Sequence, residues 1–374
     1  MANPLVDLLQ QGQSVWYDNM QRSLITSGTL QRLIAEDGLR GMTSNPAIFE
    51  KAISGSADYA GALRTLAQRG QSPLQIYESL AVEDIQWAAD LLLPVYRESN
   101  GQDGYISLEV SPHLAHDTQG TVEEALRLAD LVGRQNLMIK VPGTPAGVPA
   151  VEQLIGAGLN INITLLFAQQ NYEQVAQAYM AGLEKLAAAG GDPASVASVA
   201  SFFISRIDSM VDGLLDEHLA QADNEAQRLE LQKLQGQVAI ANAKLTYARY
   251  GEFCASPRWQ ALKEQGARPQ RLLWASTSTK NPDFRDVLYV EELIGPDTVN
   301  TMPEATFEAF RDHGVVQQTL TTGVDEAQSV MDGLAATGIS MDEVTSRLQD
   351  DAVRLFVEPF DNLLTAIDEQ CRAL

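Results

Sequence analysis

The most regular feature of the sequence is a short strand-like segment followed by a longer stretch with helical periodicity, repeated along the chain. Alternating or wholly apolar runs of four to eight residues are typical of strands, and apolar positions at i, i+3 and i+4 are typical of helices. Eight alternating units of this kind predict a closed (β/α)8 TIM barrel. The strand-like segments are residues 14–19, 38–43, 105–110, 137–141, 159–164, 196–201, 271–276 and 298–302.

Helical patterns fill the intervals, for example at residues 72–96, 121–133, 168–189 and 224–253. The connection over residues 206–264 is long for one crossover, so we expect two or more helices in it. The last stretch is interpreted as additional helices on the outside of the barrel. Without an internal repeat or a low-complexity linker, we predict one domain over residues 1–374. Its barrel core spans about 14–302 and its C-terminal helical extension about 303–374.

Several of the predicted strands carry polar side chains on one face and apolar side chains on the other. A half-exposed antiparallel sheet would show the same alternation, but helices separate these strands and the polar faces carry single residues instead of mixed surface charge. If the apolar faces meet the outer helices, the polar faces line the barrel. The last inward residues then lie at the carboxyl ends of the strands, where barrel enzymes place their chemistry. These residues are Asp18, Glu109, Lys140 and Thr164.

Lys140 is the most unusual of these residues, because apolar neighbours surround it in a short strand that Pro142 and Gly143 end. Burying an unpaired ammonium group is costly and lowers its pKa. A lysine with an ordinary pKa of about 10.4 is neutral in roughly one molecule in a few thousand at pH 7, so such a strand prepares an amine to form a Schiff base. The alternative from this stretch alone is a strand-end lysine that reaches solvent.

Composition narrows the class of protein. With 45% hydrophobic and 20% charged residues, the chain is typical of an ordinary globular protein. Its net charge of −23 argues against nucleic-acid binding and requires any phosphate site to be built locally. Cys254 and Cys371 are the only cysteines, and no signal peptide or membrane span is recognisable. We therefore expect a reduced, cytoplasmic protein with no nucleic-acid or membrane partner.

One lysine, two carboxyl groups and a threonine at a barrel rim are suited to carbonyl chemistry through an imine, in which the protonated imine accepts electrons from a breaking carbon–carbon bond. Glu109 is the candidate for proton transfer during imine formation, through a water held by Thr164. Asp18 is the candidate base for the hydroxyl whose carbon leaves as an aldehyde. Each carboxyl group alone could instead be structural, since strand-end acids also cap helices. Their shared face and shared end favour catalysis.

Three motifs resemble those of the transaldolases. Gly41-Met-Thr-Ser-Asn-Pro-Ala47 resembles the first family signature, and residues 136–143 together with 160–167 resemble the second, while Ser107-Leu-Glu-Val110 is similar to the family's glutamate strand. The resemblance extends from about residue 14 to 302, and the additional C-terminal helices suggest the longer bacterial form. It implies transfer of a dihydroxyacetone unit from sedoheptulose 7-phosphate to glyceraldehyde 3-phosphate without a cofactor or metal, by a monomer or homodimer.

The resemblance also implies roles for individual residues. Lys140 forms the imine, and Asp18 is the acid/base for the leaving hydroxyl. Glu109 transfers protons through the water that Thr164 holds. The substrate-binding residues that it implies are Asn45 and Asn162 for hydroxyl groups, Ser107 for positioning, and Ser201, Arg206 and Ser276, of which the last two bind phosphate.

The phosphate residues depart in part from the pattern of the family's smaller members. Phe202 and Ser205 stand where those members usually carry Pro and Gly, and Ser278 stands where they carry a second arginine. We expect Lys280 to supply the missing second charge. The alternative is that Lys280 lies on the loop surface.

Three other functions compete with this prediction. A fructose 6-phosphate aldolase would use the same lysine and release free dihydroxyacetone. A non-catalytic barrel would have no need of a buried lysine beside two carboxyl groups. A metal-dependent aldolase is not favoured, because the four histidines (His113, His116, His218 and His313) show no ligand-like spacing.

Overall fold

A computed structural model describes residues 3–372, and within them eight parallel strands close into a barrel in chain order. This architecture confirms the predicted (β/α)8 fold. All eight predicted strands are present, with ends that move by no more than three residues. The strands are β1 (Gln13–Asp18), β2 (Gly41–Thr43), β3 (Tyr105–Glu109), β4 (Leu137–Pro142), β5 (Ile161–Leu166), β6 (Ser198–Phe203), β7 (Arg271–Ala275) and β8 (Thr298–Met302).

Helices occupy most of the remaining chain within the described residues and surround the strands. They are α1 (Pro4–Gln10), α2 (Arg22–Thr26), α3 (Thr29–Glu36), α4 (Pro46–Gly55), α5 (Ala60–Gln68), α6 (Pro73–Glu98), α7 (Thr118–Val132), α8 (Gly147–Gly156), α9 (Gln169–Ala188), α10 (Ser205–Ala220), α11 (Glu225–Leu234), α12 (Val238–Ala255), α13 (Pro257–Glu264), α14 (Leu288–Glu291), α15 (Glu304–His313), α16 (Val324–Ala336) and α17 (Met341–Arg372).

The long connection between β6 and β7 holds four helices, α10 to α13, which confirms the expectation of two or more. The prediction of one continuous helical segment over residues 224–253 is wrong. Gly236 lies between α11 and α12 with φ of +68°, a left-handed conformation that glycine adopts without strain, and its N–H donates to Asp212. The apolar periodicity on both sides of Gly236 belongs to two helices.

The amino end of the barrel is filled by side chains. Trp16 of β1 lies against Gly41 of β2, where an added Cβ would stand only 2.5 Å from the indole ring, so residue 41 must be a glycine. Asp103 accepts hydrogen bonds from Ser14 and Trp16 and pairs with the buried Arg271 at 2.9 Å. This packing closes one end of the barrel and leaves the other end for chemistry.

The C-terminal helices do not all lie on the outside of the barrel, as the sequence predicted. Helix α15 packs beside β1 and β8, as an outer barrel helix does, but α17 crosses the carboxyl ends of the strands. The side chain of Gln349 in α17 donates to the carbonyl oxygens of Gly143, just after β4, and Leu165, in β5. Phe356 is only 6% exposed. Helix α17 therefore covers the carboxyl end of the barrel.

None of the helices within residues 3–372 combines the length and the apolar character that crossing a membrane requires.

Candidate active site

Lys140 and Glu109 lie side by side because they are direct neighbours in the paired strands β4 and β3. The Lys140 Nζ is 3.4 Å from the Glu109 Oε2 and donates to the carbonyl oxygen of Ser44 at 3.2 Å. Both side chains are 6% exposed. The structure thus buries the lysine, as the apolar strand predicted, and gives it a carboxyl partner from the next strand.

Asp18 ends β1 and faces the same cavity as Lys140. Its carboxyl group accepts a hydrogen bond of 2.6 Å from Thr43, whose hydroxyl is also 2.7 Å from that of Thr301. Burial raises the pKa of Asp18, while the charge of Lys140 and the Thr43 hydrogen bond oppose this shift. The two threonines, which the sequence analysis did not single out, therefore orient this carboxyl group.

The second carboxyl group, that of Glu109, has a pKa close to neutral pH and can therefore exchange protons there. Burial raises the pKa of Glu109 to about 7, against the opposing effect of the Lys140 charge and with a smaller contribution from Asp18. Within residues 3–372, neither the Glu109 Oε2 nor the Thr164 Oγ1 has a hydrogen-bond partner, although both atoms are buried. Two such atoms are available to a substrate group or a water in the site.

A cavity of about 170 Å³ connects Asp18, Lys140 and Thr164 to the phosphate residues predicted from the sequence, while Glu109 lies behind Lys140 and lines a neighbouring pocket. The predicted residues that line it are Asp18, Asn45, Lys140, Thr164, Ser201, Arg206, Ser276 and Lys280. It is lined as well by residues that the sequence analysis missed, including Thr43, Phe203, Ser278, Thr301 and Phe356. Polar and charged side chains thus converge on one cavity from several strands, and α17 adds the apolar Phe356.

Two predicted substrate-binding residues lie beneath this cavity instead of in its wall. Ser107 and Asn162 are 0% exposed, and the Asn162 amide donates to the Ser107 hydroxyl at 3.0 Å. The hydroxyl of Ser201 donates to the Asn162 side-chain oxygen at 2.7 Å. This chain of hydrogen bonds orients Ser201, which does line the cavity.

Two cationic side chains, Arg206 and Lys280, also line the cavity. The Arg206 guanidinium lies over the ring of Phe203 at 5.5 Å, and burial lowers its pKa while Asp351 acts in the opposite direction. The Lys280 Nζ donates to Ser278 at 2.7 Å, and burial and the charge of Arg206 lower the pKa of Lys280. Lys280 is thus exposed on the loop surface, as the alternative had it, but it also borders the cavity and is close enough to Arg206 for the guanidinium charge to lower its pKa.

Ser276 has a φ of +57°, a left-handed conformation that is uncommon for a residue with a side chain. Its hydroxyl is 2.9 Å from that of Ser205, which opens α10, and its carbonyl oxygen accepts from the Ser205 N–H. The strained turn brings the Ser276 hydroxyl next to the first turn of the helix that carries Arg206. Strain of this kind is concentrated at functional sites.

The ring of Phe356 in α17 faces the Lys140 ammonium at 5.5 Å. A cation over an aromatic ring is attracted by the ring's quadrupole. The sequence shows that Phe356 belongs to an apolar stripe of α17, but an apolar stripe does not reveal what it covers.

Within residues 3–372, no group of three or more histidine, cysteine or acidic side chains is arranged to hold a metal ion. His113 instead pairs with Asp361, and His313 with Asp286 and Asp312, all at the surface.

The fold and the site together are typical of a barrel enzyme that forms a Schiff base through a buried lysine. Residues 15–367 match the family model described as "Transaldolase/Fructose-6-phosphate aldolase". The chain is 47% identical to the transaldolase of Trichodesmium erythraeum, over 100% of this chain and 99% of that protein. It is 48% identical to transaldolase 2 of a Nostoc species, over 100% and 98%, and 44% identical to the transaldolase of Thermobifida fusca, over the whole of both. The chain belongs to the transaldolase/fructose-6-phosphate aldolase family.

Proposed function

We propose that the protein is a transaldolase that transfers a dihydroxyacetone unit from sedoheptulose 7-phosphate to glyceraldehyde 3-phosphate, giving erythrose 4-phosphate and fructose 6-phosphate in the pentose phosphate pathway. The observation that carries the proposal is the buried Lys140 with Glu109 at 3.4 Å and Asp18 in the same cavity. The curated relatives share the name transaldolase over their full length, which favours transfer over the release of free dihydroxyacetone.

The first step forms the imine. The Lys140 amine adds to the C2 carbonyl of the ketose, and the resulting carbinolamine loses its hydroxyl group as water to give a protonated imine. Glu109 accepts and returns the protons of this step, directly or through a water held by Thr164. A pKa of about 7 suits this role, because the group then exists in both protonation states near neutral pH.

The second step breaks the C3–C4 bond. Asp18 takes the proton of the C4 hydroxyl, the C3–C4 electron pair moves towards the protonated imine to form an enamine, and C4 leaves as an aldehyde. The enamine carbon then attacks the carbonyl carbon of the acceptor aldehyde, whose oxygen takes the proton from Asp18. Water finally hydrolyses the new imine, which releases the product ketose and regenerates the Lys140 amine.

The remaining cavity residues hold the substrate. Asn45 binds a hydroxyl group of the ketose, and Ser201, oriented by Asn162 and Ser107, binds a second. Arg206 binds the phosphate together with Ser276, and Lys280 supplies a second charge. Because a guanidinium group can bind phosphate through two N–H groups at once, Arg206 makes the stronger contact.

Borohydride reduction in the presence of fructose 6-phosphate tests the proposal. We expect the peptide that contains Lys140 to gain the mass of a reduced dihydroxyacetone imine, and Lys140→Arg to abolish both the adduct and turnover, since a guanidinium remains charged and does not add to a carbonyl. A matched control is Lys51→Arg, because Lys51 is exposed on α4. A label on any other lysine would contradict the assignment.

Incubation with fructose 6-phosphate alone and with added erythrose 4-phosphate separates transfer from release. A transaldolase consumes the ketose only when the acceptor is present, whereas an aldolase produces dihydroxyacetone without it. We propose in addition a cytoplasmic location. We also propose a monomeric or homodimeric state, and size-exclusion chromatography with light scattering measures this oligomeric state.

A further inference from the structure

A groove of about 550 Å³ lies between α10 and α17 and meets the active-site cavity. Arg206 and Lys280 line both spaces, so the two cations stand at the point where the cavity passes into the groove. Arg347 of α17 lines the groove but not the cavity. Arg347 therefore lies further from Lys140 than Arg206 and Lys280 do.

Arg347 differs from the other arginine that α17 contributes to the groove. Arg354 is held by two carboxylates, Asp351 at 3.2 Å and Glu358 at 3.1 Å. Arg347 is exposed and takes part in no salt bridge among residues 3–372. Its guanidinium group is free to bind an anion that enters the groove.

Four cationic side chains and two carboxylates, Asp351 and Glu217, line the groove, so positive charge is in excess there. Lys280 and Arg206 lie close enough that the charge of one lowers the pKa of the other, and Asp351, the carboxylate that acts on Arg206, is already bound to Arg354. Two neighbouring positive charges repel each other, and this repulsion destabilises the protein unless an anion binds between them. In a protein with a net charge of −23, such a concentration of positive charge indicates a binding site for an anionic group.

We propose that Arg347 is a specificity-determining residue that binds the phosphate of the seven-carbon donor. The inference rests on the proposed function, in which Lys140 fixes C2 of every ketose. The phosphate of sedoheptulose 7-phosphate then lies one carbon further from Lys140 than that of fructose 6-phosphate. The shorter donor keeps its phosphate between Arg206 and Lys280, whereas the longer donor brings its phosphate out towards Arg347.

Arg347→Ala tests the assignment, with both ketose phosphates measured as donors. An exposed charge-assisted contact is worth about 1 kcal/mol, which is roughly fivefold in affinity. We expect KM for sedoheptulose 7-phosphate to rise about three- to tenfold, KM for fructose 6-phosphate to change less than twofold, and kcat to stay the same for both. Arg347→Lys, which keeps a charge but loses the planar fork, should recover part of the effect.

The matched control is Arg97→Ala, because Arg97 is exposed in the last turn of α6, takes part in no salt bridge within the described residues, and lies at the amino end of the barrel. It removes the same charge from the molecule without altering the groove. An equal rise of KM for both donors in Arg347→Ala, or a rise no larger than in Arg97→Ala, would overturn the proposal.

Borohydride trapping with fructose 6-phosphate keeps this inference separate from the proposed function. If the wild-type protein forms no adduct at Lys140, the proposed function itself fails. If the adduct forms normally and Arg347→Ala does not discriminate between the two donors, only the role of Arg347 is wrong.

Discussion

The two carboxyl groups of the site have different partners, although burial raises the pKa of both. Asp18 accepts a short hydrogen bond from Thr43, while the only contact of the Glu109 Oε2 within residues 3–372 is the Lys140 Nζ at 3.4 Å, which is too long for a good hydrogen bond. A carboxyl group fixed by a hydroxyl keeps its place during a reaction, whereas a group held only by a longer contact can bind and release water. This difference supports the division of roles proposed for them.

The first prediction separates these roles. Asp18→Asn removes the base for the C4 hydroxyl, so we expect turnover to fall at least about 100-fold while the reduced imine at Lys140 still forms. Glu109→Gln is expected to slow imine formation and hydrolysis as well. Borohydride trapping at short times measures both variants. If they trap the adduct at equal rates, the division of roles is wrong.

The second prediction concerns pH. The pKa of Glu109 is about 7, above its ordinary value of 4.5, so the group is mostly protonated at pH 6 and mostly ionised at pH 8. Because the ionised form accepts the proton during imine formation, we expect the rate of trapping to fall about tenfold per pH unit below 7. In Glu109→Gln that titration should be absent. A profile of the same shape in both proteins would assign the titration to another group.

At the scale of single elements, α17 is the part of the active site that the sequence did not reveal. Gln349 donates to the carbonyl oxygens of Gly143 and Leu165, which follow Lys140 and Thr164 along β4 and β5. Leu165 has a φ of +62°, a conformation that is costly for a residue with a side chain. The bond from Gln349 fixes this strained position, so the helix controls the geometry of the two strands that carry the imine chemistry.

The third prediction follows from this contact. Gln349→Leu keeps the side-chain volume but loses two hydrogen bonds, so we expect the protein to be about 1–3 kcal/mol less stable and the imine to form more slowly. KM for phosphate-containing donors should change little, because Arg206 and Lys280 stay in place. Thermal unfolding and single-turnover trapping measure the two effects. Gln370→Leu, an exposed position on the same helix, is the control, and equal behaviour of the two variants would contradict the role of Gln349.

The sequence predicted the strands well because each of them alternates or is wholly apolar between residues that end strands. It also predicted that Asp18, Glu109, Lys140 and Thr164 share one end of the barrel, since strand direction and side-chain alternation determine that end. The position of α17 could not be predicted, because an apolar stripe on a helix indicates burial but not the surface that buries it. For the same reason, the hydrogen bonds beneath the cavity were not foreseen: alternation placed Asn162 inside the barrel but did not give its depth.

At the scale of the whole molecule, one domain for the barrel and the C-terminal helices stays a prediction, and the packing of α17 bears on it. Helix α17 is 32 residues long and buries Leu348, Phe356 and Phe360 against the barrel and its helices. None of the four tryptophans lies in α17, and Trp16 and Trp274 are buried inside the barrel layers. Fluorescence therefore reports on the barrel, while circular dichroism reports on all helices, including α17.

The fourth prediction uses this difference. If the barrel and α17 form one cooperative unit, the unfolding curves measured by tryptophan fluorescence and by far-ultraviolet circular dichroism in urea should have the same midpoint. A loss of helix signal at lower urea, before the fluorescence changes, would mean that α17 detaches first and that the chain has two units of stability.

The pairing of β1 with β8 closes the barrel through residues that are 285 positions apart, Gln13 and Thr298. A ribosome that adds about 5–20 residues per second needs roughly a quarter of a minute to a minute to synthesise the chain between them. Throughout that time one edge of β1 has no strand to pair with, and an open strand edge is a template for association with other chains. Newly made copies are thus most exposed to aggregation and most in need of chaperones before β8 has emerged, however stable the finished barrel is.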